Sequence, residues 1–254
     1  MEFWRNKVAV ITGAGRGIGA QIAKDLVKNG MIVIGFEPSE EKFKYILDDM
    51  LLWGNVDGEF IHQVCDISNQ EQLKHSFEEI NRAFGGIDIL FNNAVISSAG
   101  MISTGNLELL KRSADVNIFG LIACTRLAIE SMRKKKTGLI VNVNSICGHY
   151  MPNFAEPTLN LYVVSKRAMT ILNTLIRNEL KISDSKIRIT SISPGIVRTD
   201  IFGNSGAKFI DRKFLEQNPN MSIEDVSNIV LKILTTPRNV LVKEIIFHAL
   251  HEIY

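Results

Sequence analysis

Tyr162 and Lys166 stand four positions apart in the run TLNLYVVSKRAMTILNTLIR, residues 158–177. Apolar residues recur there at Val163, Val164, Met169, Leu172, Leu175 and Ile176, close to helical spacing. Positions four apart share a helix face, so the phenol and the ammonium can point into one volume. A fixed cation nearby favours the phenolate. That draws a tyrosine down from its ordinary pKa of about 10 toward the working range of a general acid–base. Such pairs are common on solvated helices, and this one gains chemical meaning only from what the rest of the chain sets beside it.

The first unit supplies a binding loop. Lys7-Val-Ala-Val-Ile-Thr12 is β-branched and reads as a buried strand. It runs into Gly13-Ala-Gly-Arg-Gly-Ile-Gly19, then an amphipathic helix over 20–29 that ends at Gly30. A second strand over 31–36 leads to Glu37-Pro38. Strand, glycine turn, helix, strand is half of a dinucleotide fold. The glycines let a pyrophosphate approach backbone N–H groups at a helix N-terminus, where a Cβ would obstruct it. A tight strand–helix turn without ligand would use the same residues. Glu37 can accept hydrogen bonds from the adenosine ribose and repels a 2′-phosphate, which favours NAD. Arg16 in the loop points toward NADP; Glu37 is given the greater weight, and the expected cofactor is NAD(H).

Glu59 to Asp66 reads as a third strand. Asp66 could accept from the adenine amino group or cap the next helix, which is expected over 69–85. A fourth strand over 87–91 opens into Asn92-Asn93-Ala94-Val95, at the end of the sheet where open α/β folds bind ligands. Residues 107–129 have the length and apolarity of one helix, with Asn117 inside it. Asparagine is unfavourable there, so it signals a function, a local kink, or an amide satisfied by backbone. A fifth strand over 137–145 ends at Ser145, with Cys147 on the same rim and no paired His or Asp to make it a nucleophile. The basic run 133–136 reads as a solvated helix end.

A sixth strand, 188–193, leads into Pro194-Gly195-Ile196-Val197-Arg198-Thr199. A helix is expected over 222–234, opened by Ser222, and a last strand over 240–247. The loop 148–161 carries Tyr150, Met151, Phe154, Leu159 and Leu161; a weakly patterned segment carries Ile201, Phe202, Phe209, Ile210 and Phe214. Two apolar loops beside a polar reacting centre suggest an apolar alcohol or ketone as substrate, unless these side chains serve the core or an oligomer contact.

Composition excludes other classes. A net charge of +2 over 254 residues gives no argument for nucleic acid. Cys65, Cys124 and Cys147 form no C-x-x-C pair, which fits reduced thiols in the cytoplasm. No stretch approaches the apolar length of a membrane span. The five histidines lack metal-ligand spacing, and no metal is expected.

Taken in order, Thr12-Gly13-x-x-x-Gly17-Ile18-Gly19, Asp66, Asn92-Asn93-Ala94, Asn117, Ser145, Tyr162-x-x-Ser165-Lys166 and Pro194-Gly195 resemble the short-chain dehydrogenase/reductase family across nearly the whole chain. Val141-Asn-Val-Asn-Ser-Ile-Cys-Gly-His149 and the ending from Thr236-Pro237 to Ile246 are similar to its insect farnesol-dehydrogenase-like branch. The resemblance implies a catalytic group in which Tyr162 is the acid–base and Lys166 lowers its pKa and holds the nicotinamide ribose. Ser145 would bond the substrate oxygen, and Asn117 would hold a water in a proton relay. It implies cofactor contacts from Gly13, Arg16, Gly17, Ile18, Gly19, Glu37, Asp66, Ile67, Asn93, Tyr162, Lys166, Val197 and Thr199. It also implies a homodimer or homotetramer built on the long fourth and fifth helices.

Three departures stand out. Val95 replaces a usual glycine, the interval from Ser145 to Tyr162 is 17 positions and longer than common, and Glu37 replaces the basic residues of the farnesol-dehydrogenase-like relatives.

The alternation of strands and helices predicts one doubly wound α/β (Rossmann) domain over 1–254, with seven parallel strands and helices on both faces. The expected reaction is hydride transfer between NAD(H) and an apolar isoprenoid, fatty or steroid-like alcohol, ketone or aldehyde. The rival is a catalytically silent NAD-binding sensor or storage protein of the same fold; its mark would be a broken catalytic group, and here all four positions are filled.

Overall fold

A computed structural model describes residues 1–54, 56–97, 101–151, 159–199 and 212–252. Among these, seven strands form one parallel sheet in the order β3-β2-β1-β4-β5-β6-β7. The strands are β1 Val8–Thr12, β2 Ile32–Glu37, β3 Glu59–Val64, β4 Ile89–Asn92, β5 Gly138–Val143, β6 Ile187–Pro194 and β7 Glu244–Phe247. The order reverses between β1 and β4, which opens a crevice at the carboxyl ends of the strands.

Strand alternation sorts the core into two layers. Ala9 and Ile11 of β1 face one, Val8 and Val10 the other. The first layer is closed by α1 (Gly17–Lys28) and α8 (Ile223–Leu234), through Ile22, Leu26, Val226 and Val230. The Trp4 indole N–H donates to Leu234 O at 2.7 Å, and Ser227 Oγ donates to Asp25 at 2.6 Å. The second layer is closed by α3 (Gln70–Phe84), α5 (Leu121–Lys135) and α6 (Asn160–Ile182). Phe77 and Phe91 are fully buried in these two layers, and burial of such a side chain is worth about 1.5–3 kcal/mol. No helix among the described residues is long and apolar enough to cross a membrane.

Several expected boundaries shift. Gly30 follows the Asn29 cap of α1 at φ +80°, as a C-terminal glycine should. Ser222 and Asp225 form a reciprocal capping box at the start of α8. The helix after β3 is capped by Asn69, not by Asp66; Asn69 Oδ1 accepts from the N–H groups of Glu71 and Gln72. Strand β7 is shorter than its apolar run. A short helix, α7 (Arg212–Gln217), occupies part of the stretch read as irregular, and α2 is Lys44–Met50.

The expected helix over 107–129 is α4 (Leu107–Ala114), a π-helical turn over Asp115–Gly120, then α5. The anomaly signalled by Asn117 coincides with this π turn, and a π turn inside a helix commonly marks a site.

Candidate active site

The glycine loop is set by β1 and braced by β4. Thr12 Oγ1 accepts from the N–H groups of Asn93 and Ala94, at 3.1 and 3.0 Å. The Asn93 amide donates back to Thr12 O and Gly13 O, at 3.0 and 2.8 Å. Gly17 opens α1 at φ +57°, and a Cβ there would meet only Thr199, so this face is open to a ligand. Gly19 has a different job. A Cβ on it would lie 2.2 Å from Gly13 O and 2.5 Å from the Asn93 amide, so it packs the loop from behind and does not line the cavity.

A cavity of about 590 Å³ runs from this loop across the carboxyl ends of the strands. That is in the size range of a small-molecule site. Gly13, Arg16, Gly17 and Ile18 line one end; Glu37, Asp66, Ile67 and Asn93 continue it; Ser145, Tyr162, Lys166, Val197 and Thr199 complete the other. The open cradle at Gly17 and the acceptor at Glu37 suit a dinucleotide's diphosphate and adenosine ribose.

At the Glu37 end, Oε1 accepts from Gly15 N at 2.8 Å. Burial pushes the Glu37 carboxyl above its ordinary value, against the Gly15 hydrogen bond and the charges of Lys42 and Arg16. Asp66 is held by Ser68, whose N–H donates at 3.0 Å and hydroxyl at 2.7 Å, and by Arg112 at 2.7 Å. Burial works to raise Asp66, but the Ser68 bonds and the Arg112 charge outweigh it and hold it low. Lys42 and Arg112 line the cavity and were not singled out from sequence.

At the other end, α6 brings Tyr162 and Lys166 beside Ser145, two residues past β5. Lys166 is buried, and its ammonium donates to Val143 O at 2.7 Å and sits 5.5 Å from the Tyr162 ring centroid. Desolvation lowers it from 10.5 to about 8, against the influence of Cys147. Burial, with the neighbouring Cys147, carries the Tyr162 phenol well above its ordinary value, against a hydrogen bond with Ser145 that draws it down. Burial thus acts on the phenol in the direction opposite to the one the four-residue spacing suggested, and the Lys166 ammonium is itself anchored on Val143 O.

Asn117 is buried, but its amide serves Ile96: Oδ1 accepts from Ile96 N at 2.9 Å and Nδ2 donates to Ile96 O at 2.8 Å. The side chain braces the loop after β4 and does not line the cavity. Val95 does line it, and it is not among the described residues with positive φ, so no glycine freedom is needed there. Cys147 Sγ is buried and its pKa raised by that burial. His149 bonds Ser193 at 3.1 Å and Glu244 at 2.9 Å, a structural role. Phe154, Ile201, Phe202, Phe209 and Ile210 lie outside the described residues. Leu159 is buried on the cavity wall.

Glu252, like Lys42 and Arg112, is a cavity residue that the sequence alone did not single out. It is buried at the cavity, with Oε1 accepting from Ile196 N at 2.8 Å and Oε2 from Ala249 N at 3.0 Å. It fixes the loop that follows β6, where Val197 makes an isolated bridge to Met221.

A short chain dehydrogenase family model matches residues 7–209. The chain is 38% identical over 248 residues to the farnesol dehydrogenase of Aedes aegypti, covering 96% of each. It is 32% identical over 249 residues to dehydrogenase/reductase SDR family member 11 of Homo sapiens, covering 96% of this chain and 95% of that one. In fold it resembles the alcohol dehydrogenase of Thermococcus sibiricus complexed with 5-hydroxy-NADP, with a TM-score of 0.81, 24% identity and 97% of each chain covered. A loop-braced glycine turn at one end of a crevice, a Tyr–Lys–Ser cluster at the other, and these matches lead to one conclusion: the chain belongs to the short-chain dehydrogenase/reductase family, in its insect farnesol-dehydrogenase-like branch.

Proposed function

We propose that this oxidoreductase moves hydride between NAD(H) and an apolar alcohol, ketone or aldehyde of isoprenoid, fatty or steroid-like kind, with Tyr162 as acid–base. The observation that carries the reading is one cavity with the glycine turn and Glu37 at one end and Ser145, Tyr162 and Lys166 at the other. A bound nicotinamide supplies the hydride chemistry; the chain supplies position and a proton path. Gly13, Arg16, Gly17, Ile18, Glu37, Asp66, Ile67 and Asn93 would hold the adenosine diphosphate. Val197, Thr199, Tyr162 and Lys166 would hold the nicotinamide half. Ser145 would bond the substrate oxygen. A phenol held protonated suits a proton donor to a carbonyl, and oxidation should therefore rise with pH as the phenolate forms.

The preference for NAD rests on Glu37, whose carboxylate would oppose a 2′-phosphate. Arg16 and Lys42 beside it favour NADP, and the weight is again given to the carboxylate that lies on the cavity wall. Leu159 and Ile146 beside the reacting groups support an apolar substrate. Exposed Phe119, Ile122, Val164, Ile171 and Leu175 on the π turn, α5 and α6 support self-association as a dimer or tetramer. A site assembled from the carboxyl ends of β1 through β6 supports a single domain, and buried, unpaired cysteines support a cytoplasmic setting.

Tyr162→Phe is the test. Turnover should fall by at least a hundredfold while the NAD dissociation constant moves only a few-fold. Retained turnover overturns the acid–base role. Wild-type NAD binding without turnover on a broad panel of apolar alcohols would favour a silent sensor. Better kcat/KM with NADP than with NAD would reverse the cofactor assignment.

A further inference from the structure

A second cavity, of about 370 Å³, lies at the opposite end of the sheet from the site above. It is bordered by residues at the amino ends of the central strands: Lys7 before β1, Asp88 before β4, Lys135 and Thr137 before β5, and Arg188, the second residue of β6. Arg238, from the α8–β7 connection, closes it together with the rings of Phe3 and Trp4.

Its charge is unbalanced. Asp88 is buried and already committed, accepting from Val8 N at 3.0 Å and pairing with Lys135 at 2.8 Å. Arg188 donates to Val240 O at 3.0 Å, and Arg238 to Thr137 Oγ1 at 2.9 Å, so each guanidinium is aimed by a neutral acceptor. Neither pairs with a carboxylate among the described residues. Lys7 and Arg238 lie 5.9 and 4.6 Å from the Phe3 centroid, over its ring. Burial and the neighbouring Arg238 both lower the Arg188 pKa, the mark of like charges held together. Arg238 is exposed and Lys7 and Arg188 are part-buried, so the cluster is open to a solute of opposite sign.

We propose that this cavity binds a small multivalent oxyanion, of the phosphate or polycarboxylate class, between Arg188, Arg238 and Lys7. Guanidinium forks match the paired oxygens of either group. The volume leaves room for an organic portion against Phe3 and Trp4. The Trp4 N–H is bonded to Leu234 O, so the indole offers its apolar surface. The site is separate from the dinucleotide crevice and does not depend on which cofactor that crevice holds.

Calorimetric titration of pyrophosphate, and separately of citrate, into the full chain saturated with NAD tests this. Saturation keeps the glycine loop from competing. One site per chain is expected for at least one of the two, weakening several-fold as salt rises from 50 to 200 mM. Which probe binds tighter assigns the phosphate or the carboxylate class. Arg188→Gln with Arg238→Gln should weaken binding at least tenfold, with an unchanged circular dichroism spectrum. Lys7→Gln, which removes only the contact of its ammonium with the Phe3 ring, should weaken it several-fold and serves if the double variant misfolds. No binding of either anion at millimolar concentration, or equal affinity in the wild type and Lys7→Gln, overturns the proposal.

Discussion

Lys166→Met separates the energetic cost of a buried ammonium from its chemical use. Holding Lys166 charged inside the protein moves its pKa from 10.5 to about 8, which corresponds to about 3 kcal/mol at any pH below 8. The sign follows from proton counting. Between pH 8 and 10.5 the unfolded chain binds the proton that the folded chain has lost, so stability rises with pH across that window. Methionine has similar bulk and no charge, but it leaves Val143 O without this donor, a loss of about 1–2 kcal/mol. The variant should therefore be more stable than wild type at pH 7 by about 1–2 kcal/mol, or about 2–8 °C in Tm for a chain of this size. Urea unfolding of the cofactor-free proteins at pH 7 and pH 10 checks it. The gap should close or reverse at pH 10, where the wild-type amine is neutral. Turnover should be lost at both pH values. A variant less stable at pH 7, or a gap that does not change with pH, would show that the ammonium is adequately solvated and that its burial carries no such cost.

Other substitutions probe separate parts of the site. Glu252→Ala strands the Ile196 and Ala249 N–H groups, at about 1–3 kcal/mol each, and should raise the KM for NAD about tenfold with a smaller change in kcat; an unchanged KM removes its positioning role. Gly19→Ala sets a Cβ 2.2 Å from Gly13 O, so isothermal titration should show NAD binding weakened at least tenfold even where the circular dichroism spectrum is native. Glu37→Ser leaves Arg16 and Lys42 in place, and the ratio of kcat/KM for NADP over NAD should rise at least tenfold; a ratio that stays put would mean Glu37 serves Gly15 alone.

Local signals carried much of the architecture. The β-branched run of β1, the glycines after it and the four-residue step from Tyr162 to Lys166 are short-range patterns, and the chain realises them as written. Asn117 was legible as an anomaly in a helix, but not its partner: Ile96 lies 21 positions away, on a loop that only the packed sheet brings near. Arg112 reaches Asp66 across 46 positions and Glu252 reaches Ile196 across 56, and neither pairing leaves a periodic trace. The phenol illustrates a different limit. Spacing put a cation beside Tyr162 and suggested a lowered pKa, whereas the structure anchors that cation on a carbonyl and lets burial dominate. Desolvation is a property of the assembled interior, which a local pattern does not report.

The pairing of α1 with α8 bears on how the chain is made. Trp4 reaches Leu234 over 230 positions and Ser227 reaches Asp25 over 202. A nascent chain leaving the ribosome can lay α1 on β1 and β2 early, but Val226 and Val230, which close the same layer, arrive only when almost all of it has been synthesised. Contacts this distant close late and slowly, and meanwhile the part of the layer that α8 will cover is a target for chaperones or for self-adhesion. Translation arrested before residue 222 should yield a fragment that is captured or precipitates, however intact its glycine turn.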